Sequence, residues 1–326
     1  MEHAGLANIP FVARRSMRSR RAMPGASYVL ALLVVLFGIF APGFFSVSNL
    51  LNVWRQGAVL LIVAVGQTVI ILTEGIDLSS GAVMSLAGVT CAVALHAGSG
   101  AAGAILLALL VGVLCGGLSG WLITAGRLPP FIATLGMMGM AQGLALALSH
   151  GASVRGFTAA FRFLADASLL GVPIPAWIAA LAFAWAYLVL YHTPFGTHVF
   201  ALGGNREAAR ATGVPTRRQE FRVYAMAGLL SALGGIVLVA RINSAHPTVG
   251  IGYEFDAIAA TILGGTSFER GRGGLPGTIL GVALIAVLRN GLNVIGMATY
   301  LQLAAVGSIL VVAIVLDTWL MHRARS

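Results

Sequence analysis

The chain has 326 residues, of which 58 % are hydrophobic and 9 % charged, with a mean hydropathy of +0.93. An ordinary soluble domain is excluded, since roughly 25 % of its residues would be charged. The net charge of +10 invites a nucleic-acid reading, but the basic residues sit at the ends of apolar segments, as in chains oriented by a bilayer.

All twenty basic residues are arginine. A Walker A motif needs a lysine beside the phosphates, so a standard ATP-hydrolysing P-loop is excluded. Cys91 and Cys115 lie in apolar runs and read as small buried hydrophobes. Neither paired catalytic carboxylates at a defined spacing nor a His/Cys cluster of metal-ligand spacing is present, and no metal is expected.

Long stretches carry no Asp, Glu, Lys or Arg, among them 22–54, 56–73, 78–126, 128–154, 167–205 and 290–316. A spanning helix needs about 20 apolar residues, so the longest of these hold two passes or a pass plus a loop. In chain order, the basic tail 1–27 precedes predicted spans at Tyr28–Phe45, Ala58–Ile76, Leu78–His96, Ala101–Thr124, Phe131–His150, Pro175–His192, Arg222–Ala240, Ala257–Phe268, Leu275–Asn293 and Tyr300–Leu316. Residues 28–317 form the membrane domain, 193–222 a cytoplasmic loop and 318–326 a cytoplasmic tail. The expected fold is an all-α polytopic membrane protein of about ten transmembrane helices, both termini cytoplasmic.

Arginine placement supports the even count. Five in the N-terminal tail, Arg127, the five from Arg206 to Arg222, Arg270, Arg272, Arg323 and Arg325 fall inside, 15 of 20. Shifting one span would put the Asn205–Arg222 loop outside and break this bias.

Two segments are irregular. Thr73–Gly81 is a polar break between apolar helices. Ala257–Phe268 is too short to cross a hydrocarbon core of about 30 Å, so it is a half-span or a helix with polar ends inside the protein. Irregular backbone at membrane depth survives only against protein or a water-filled path, and paired broken helices point to a transport site. Segments 70–77 and 261–268 look weakly alike, and 58–150 with 222–316 are candidate inverted halves.

Asp77 is read either as the N-cap of a helix starting at Leu78 or, with Glu74 and Ser79, as part of a gate, because intramembrane carboxylates are costly. Glu254 and Asp256 suit an outer patch for a binding protein, the lining of a path's mouth, or a capped helix start at Ala257. Asn290 and Asn293, at i and i+3, share a face; they line a path or bond between helices. Arg289 is expected to snorkel to the outer interface.

Between Asn205 and Tyr224 the chain turns charged, with five arginines and two glutamates. Asn205, Arg206, Glu207, Ala208, Ala209, Arg210, Thr212 and Gly213 read as a short helix ended by glycine, with Pro215 preventing continuation. Ala208 and Ala209 would give it a small apolar docking face. The alternative is a solvated loop whose arginines only enforce topology.

Gly75–Gly81, Pro130–Met137 (with Phe131 and Thr134), Gly203-Gly204-Asn205 leading to Ala208-Ala209-Arg210, Gly252–Ala260 and Leu263–Ser267 together resemble the ribose/xylose-type sugar permeases. These are membrane subunits of bacterial ATP-binding-cassette (ABC) importers in the branched-chain amino acid/monosaccharide permease superfamily. The resemblance covers about residues 28–317 and implies a type II-like permease in the inner membrane. It also implies a second permease copy, in a homodimer or heterodimer, and a periplasmic sugar-binding protein. A cytoplasmic ATPase would bind ATP and magnesium, leaving this chain without a cofactor. Ser80 stands where the family often has a larger residue. The competing readings are an ion-coupled secondary transporter, for which Glu74 and Asp77 are the candidate coupling carboxylates, and a membrane-bound enzyme, which lacks a recognisable nucleophile, metal or phosphate site.

Overall fold

A computed structural model describes residues 23–268, 271–298, 300–308, 311 and 315. The tail 1–22, Arg270 and the tail 318–326 lie outside the described residues. Among the described residues the helices are α1 Met23–Phe40, α2 Val47–Ile71, α3 Ser80–His96, α4 Gly100–Thr124, α5 Pro130–Ser149, α6 Ala159–Asp166, α7 Ile174–His192, α8 Pro194–Gly204, α9 Arg206–Ala211, α10 Thr216–Ile242, α11 Tyr253–Leu263 and α12 Leu275–Val294. Residues 300–308 are also helical. α2, α4, α5, α7, α10 and α12 are long and apolar enough to cross a membrane, while α1 and α3 are shorter apolar helices. The molecule is an all-α, multi-pass membrane protein.

The loop expected over 193–222 is largely helical. α8 fills its first half, and α10 begins at Thr216 rather than Arg222. Thr193 is extended (φ −129°, ψ 160°) and Pro194 starts α8, the position where a missing N–H costs nothing. At 27 residues α10 is about 40 Å long, more than a hydrocarbon core requires.

α2 and α10 are largely buried, whereas α4, α5 and α7 form the exposed rim. α10 packs antiparallel on α4 along a glycine seam. A Cβ on Gly120 would sit 2.9 Å from Phe221 Cα, and one on Gly112 2.5 Å from the Gly228 carbonyl oxygen; Gly116 faces the Tyr224 carbonyl as closely. Small residues allow such backbone approach, and the close packing it permits helps drive helix association in lipid. The spacing of Gly112, Gly116 and Gly120 anticipates this seam; Gly117 meets only the Phe221 ring, at 3.5 Å. Polar ties add to it: Thr68 Oγ1 lies 2.7 Å from Thr278 Oγ1 and 3.2 Å from Thr261 Oγ1, joining α2, α12 and α11 in the core.

α2 runs antiparallel to α10, with Gly66 against Ala227 and Val63 against Gly234. It runs parallel to α11, since Thr68 meets Thr261 near their C-terminal ends while Gln56 and Leu60 line a cavity with Tyr253 and Asp256 nearer their beginnings. The alike segments 70–77 and 261–268 therefore end helices pointing the same way, so their likeness does not relate inverted halves. The α2–α3 break, the α8–α9 corner and the α11–α12 loop gather at one end of the bundle. Opposite them, β1 Val154–Arg155 pairs antiparallel with β4 Ser244–Ala245, and α6 packs there through Phe161 and Ala165. A β2–β3 turn, Ser168–Leu169 with Val172–Pro173, leads into α7.

Candidate functional site

The charged segment folds as the sequence suggests at both of its ends. Asn205 is extended (φ −166°, ψ 107°) and separates α8 from α9. Its side-chain oxygen accepts the Ala208 N–H at 2.9 Å, satisfying one otherwise free donor of the first turn. At the other end Gly213 has φ +86°. Its N–H donates to the Arg210 carbonyl at 3.1 Å, and the Val214 N–H donates to Ala209 at 3.0 Å. These two bonds close a Schellman motif.

Side-chain placement corrects the docking face. Ala209 is 4 % exposed and packs within the chain; Ala208, between exposed Glu207 and Arg210, is the alanine that faces outward. Arg206 grips Glu220 of α10 with two hydrogen bonds, one of 3.1 Å from Nη1 to Oε2. It therefore anchors α9 to α10 as well as carrying charge. The Thr212 hydroxyl donates to the Ala209 carbonyl at 3.0 Å.

Next to this corner lies the break after α2. Asp77, 5 % exposed, accepts through Oδ1 from the Ser79 N–H at 2.7 Å and the Ser79 hydroxyl at 2.6 Å. α3 starts at Ser80, later than expected, and Ser79 occupies its cap position. Asp77 thus closes a turn ahead of the helix rather than capping it. Thr134 donates to Pro130 at 3.0 Å and leans toward the Ile76 carbonyl, 3.5 Å away. Tyr224 of α10 reaches the same carbonyl at 3.4 Å. A Cβ on Gly75 would stand 2.6 Å from the Tyr224 hydroxyl, so a larger residue there would push the hydroxyl away from this carbonyl. Glu74 is exposed with φ +61°, and Phe131 is exposed. Glu74, Asp77 and Ser79 thus belong to a single break that Thr134 of α5 touches, while Phe131 points outward one turn before Thr134. Ser80 is buried, so the departure there lines no open surface.

Of the remaining candidates, Glu254 packs against Gly81 at the start of α3, where a Cβ would collide with its carboxylate, while Asp256 and Asn290 lie toward the N-terminal end of α2, beside Gln56 and Asn49. Glu254 and Asp256 are each 3 % exposed, too buried to offer a surface patch to a docked protein. α11 begins at Tyr253 rather than Ala257, with Gly252 at its cap position, so Glu254 and Asp256 lie in its first turn instead of capping it; Glu254 folds back to accept the Gly252 N–H at 3.1 Å. Asp256 accepts from Arg289 Nη2 at 2.6 Å, so Arg289 pairs within the protein instead of snorkelling. With both carboxylates inside, α11 is the short helix whose polar end is buried. Asn290 exchanges two amide hydrogen bonds with Asn49, of 2.8 and 2.9 Å, which is the interhelical alternative; Asn293 is exposed and apart from it. A cavity of about 60 Å³ lined by Gln56, Tyr253, Asp256 and Arg289 sits beside the ion pair. Among the described residues no group of three His, Cys, Asp or Glu side chains could share a metal ion.

Sequence reasoning missed α8 and the contact made by Tyr224, and it had Gly203 only as part of a motif, without its close approach to Leu72. The Gly203-Gly204 pair was the available signal for a close approach, and proline at 194 for a helix start.

Residues 49–314 match the family model described as branched-chain amino acid transport system / permease component. The chain belongs to this permease family. The ribose import permease protein RbsC of Escherichia coli K12 is 39 % identical over 292 residues, covering 88 % of this chain and 91 % of the relative. Its Bacillus subtilis counterpart is 41 % identical over 290 residues, covering 88 % and 90 %. The D-allose transport system permease protein AlsC of Escherichia coli K12 is 34 % identical over 298 residues, covering 90 % of each. Among solved structures, an inward-facing metal-chelate-type ABC transporter superposes with a TM-score of 0.50 over 93 % of this chain and 99 % of that one, at 15 % identity. That likeness speaks to fold alone. A permease component is a transport subunit and not an enzyme.

Proposed function

We propose that this chain is the membrane-spanning subunit of an ABC importer that moves a monosaccharide, a ribose-like pentose or a related sugar, across the bacterial inner membrane. The ribose and allose permeases among its relatives support the substrate class. A separate cytoplasmic ATPase supplies the energy, a periplasmic sugar-binding protein delivers the substrate, and a second permease copy completes the path. Ten crossings put both termini, the 193–222 segment and the α11–α12 loop in the cytoplasm. Helices α2 and α10, antiparallel at the start of each candidate half, are consistent with halves of opposite orientation. The permease domain is 28–317, flanked by the tails 1–27 and 318–326.

The observation that carries the reading is α9. A six-residue helix capped at both ends presents Ala208 between Glu207 and Arg210 beside the α2–α3 break. Such a rigid, small-faced projection suits a cleft in a soluble partner. Asn205 to Gly213 form the coupling contact, and Glu74, Asp77, Ser79, Phe131 and Thr134 the gate. Asp256 and Asn290 pair with Arg289 and Asn49 away from α9, Glu254 folds onto the start of its own helix, and the three are left out of both.

Ala208→Arg tests this. The added bulk and charge should cost a hot-spot contact about 2 kcal/mol or more, against about zero on a solvated surface. Membrane insertion should be normal, while co-purification with the ATPase and sugar uptake are lost. Normal association and uptake in this variant would overturn the coupling assignment. Accumulation driven by an ion gradient, with no ATPase present, would overturn the importer reading itself.

A further inference from the structure

Three backbone segments meet beside α9 with no side chain between them. Gly203, in the last turn of α8, lies against the Leu72 carbonyl at the end of α2; a Cβ there would collide with it and stand 2.7 Å from Gly271 Cα. Gly271 belongs to the α11–α12 loop, has φ +56°, and its own Cβ would lie 3.0 Å from the Leu72 oxygen. One residue of α8 therefore touches both non-helical segments at this end of the bundle.

The arm formed by α7 and α8, Ile174 to Gly204, holds that loop at a second point. The hydroxyl of Tyr191, in the last turn of α7, accepts the Leu275 N–H at 3.2 Å at the start of α12, and Gly274 packs directly under it. The arm itself is stiff. Gly196 packs closely on the Leu190 carbonyl at the α7–α8 corner, and Gln219 of α10 donates to the Phe195 carbonyl at 2.9 Å. By contrast α9 buries only Ala209 and is tied to α10 by Arg206 and Glu220. The small exposed helix can therefore receive a partner, while α8 bears on the membrane segments.

We infer that Gly203 of α8 and Tyr191 of α7 are positioning residues through which the α7–α8 arm sets the α2–α3 break and the α11–α12 loop together, so that both move when α9 is displaced. Packed backbone resists gradual deformation, and contiguous rigid elements carry coupling between distant sites. This rests on the importer reading above. Gly204, one residue further on, has open space within 4 Å of where a Cβ would stand and takes no part.

The test uses the full complex with its ATPase in proteoliposomes, reading membrane insertion, ATPase association and ATP hydrolysed per sugar moved. Gly203→Ala and Tyr191→Phe should insert and associate normally but raise that ratio roughly tenfold, within the usual range of coupling energies. Gly204→Ala should match the wild type. If Gly203→Ala does not insert, Tyr191→Phe, which removes one hydroxyl at nearly constant volume, decides alone. A wild-type ratio in every variant that inserts and associates overturns the inference. A wild-type complex that hydrolyses ATP without moving sugar, or binds no ATPase, instead marks the importer reading as the one that failed.

Discussion

At the scale of single residues, burial separates groups that the sequence presents as equals. Ala208 and Ala209 are adjacent alanines in one helix, yet one faces outward and the other packs within the chain. An arginine at 209 would disrupt the protein's own packing, so 208 is the position that interrogates a partner. Asp256 and Arg289 form a second case. Removing one member of a buried ion pair leaves an uncompensated charge, at a cost of about 3–5 kcal/mol. Asp256→Asn should therefore lower thermal stability in detergent markedly. Asp256→Asn with Arg289→Met should lose less than the sum of the single changes, because no charge is left stranded. Additive losses would show that the pair contributes little.

Among the elements, glycine has two opposite meanings. Gly116 on α4 lies against the α10 backbone, whereas Gly136 on α5 has nothing within 4 Å of where a Cβ would be. Gly116→Leu should force the seam apart, costing at least the 1–3 kcal/mol typical of overpacking. Gly136→Ala should be neutral or stabilising by up to about 1 kcal/mol from helix propensity. Size-exclusion monodispersity and thermal unfolding of the purified chain would read both; equal tolerance would contradict the α4–α10 packing. Existence and order of the helices were legible from charge-free length, since lipid demands runs of this kind. α8 was not, because Pro194–Gly204 lies within a charge-free stretch and is too short to announce itself as a span. The N-cap of α3 was displaced from Asp77 to Ser79, since Asp77 bonds to Ser79 and closes a turn first.

For the whole molecule, the arginine bias makes a topological prediction that exposure refines. A cysteine must be reachable to be labelled. Thr216 is buried, but Arg217 in the same turn and Phe163 on α6 are exposed. In a background lacking Cys91 and Cys115, Arg217→Cys should react with an impermeant thiol reagent only from the cytoplasmic side. Phe163→Cys should react only from the periplasmic side. Labelling of both from one face would break the ten-crossing arrangement.

The sequence by itself determined that the chain lives in a bilayer, where most of its apolar helices fall to within a few residues, and that it has no standard P-loop. It also marked the charged helix between Asn205 and Gly213. Those properties are local: hydrophobic length, basic flanks, a capping asparagine and a terminating glycine act over one or two turns. Only the tertiary structure decided that Asp256 meets Arg289, that Asn290 meets Asn49, and that Gly203 bears on Leu72 and Gly271. These pairings join residues that are distant in the chain, and their geometry follows from how the helices cross. A carboxylate or amide reads the same in sequence whether it faces a path, a partner or another helix, and packing alone assigns it one of the three.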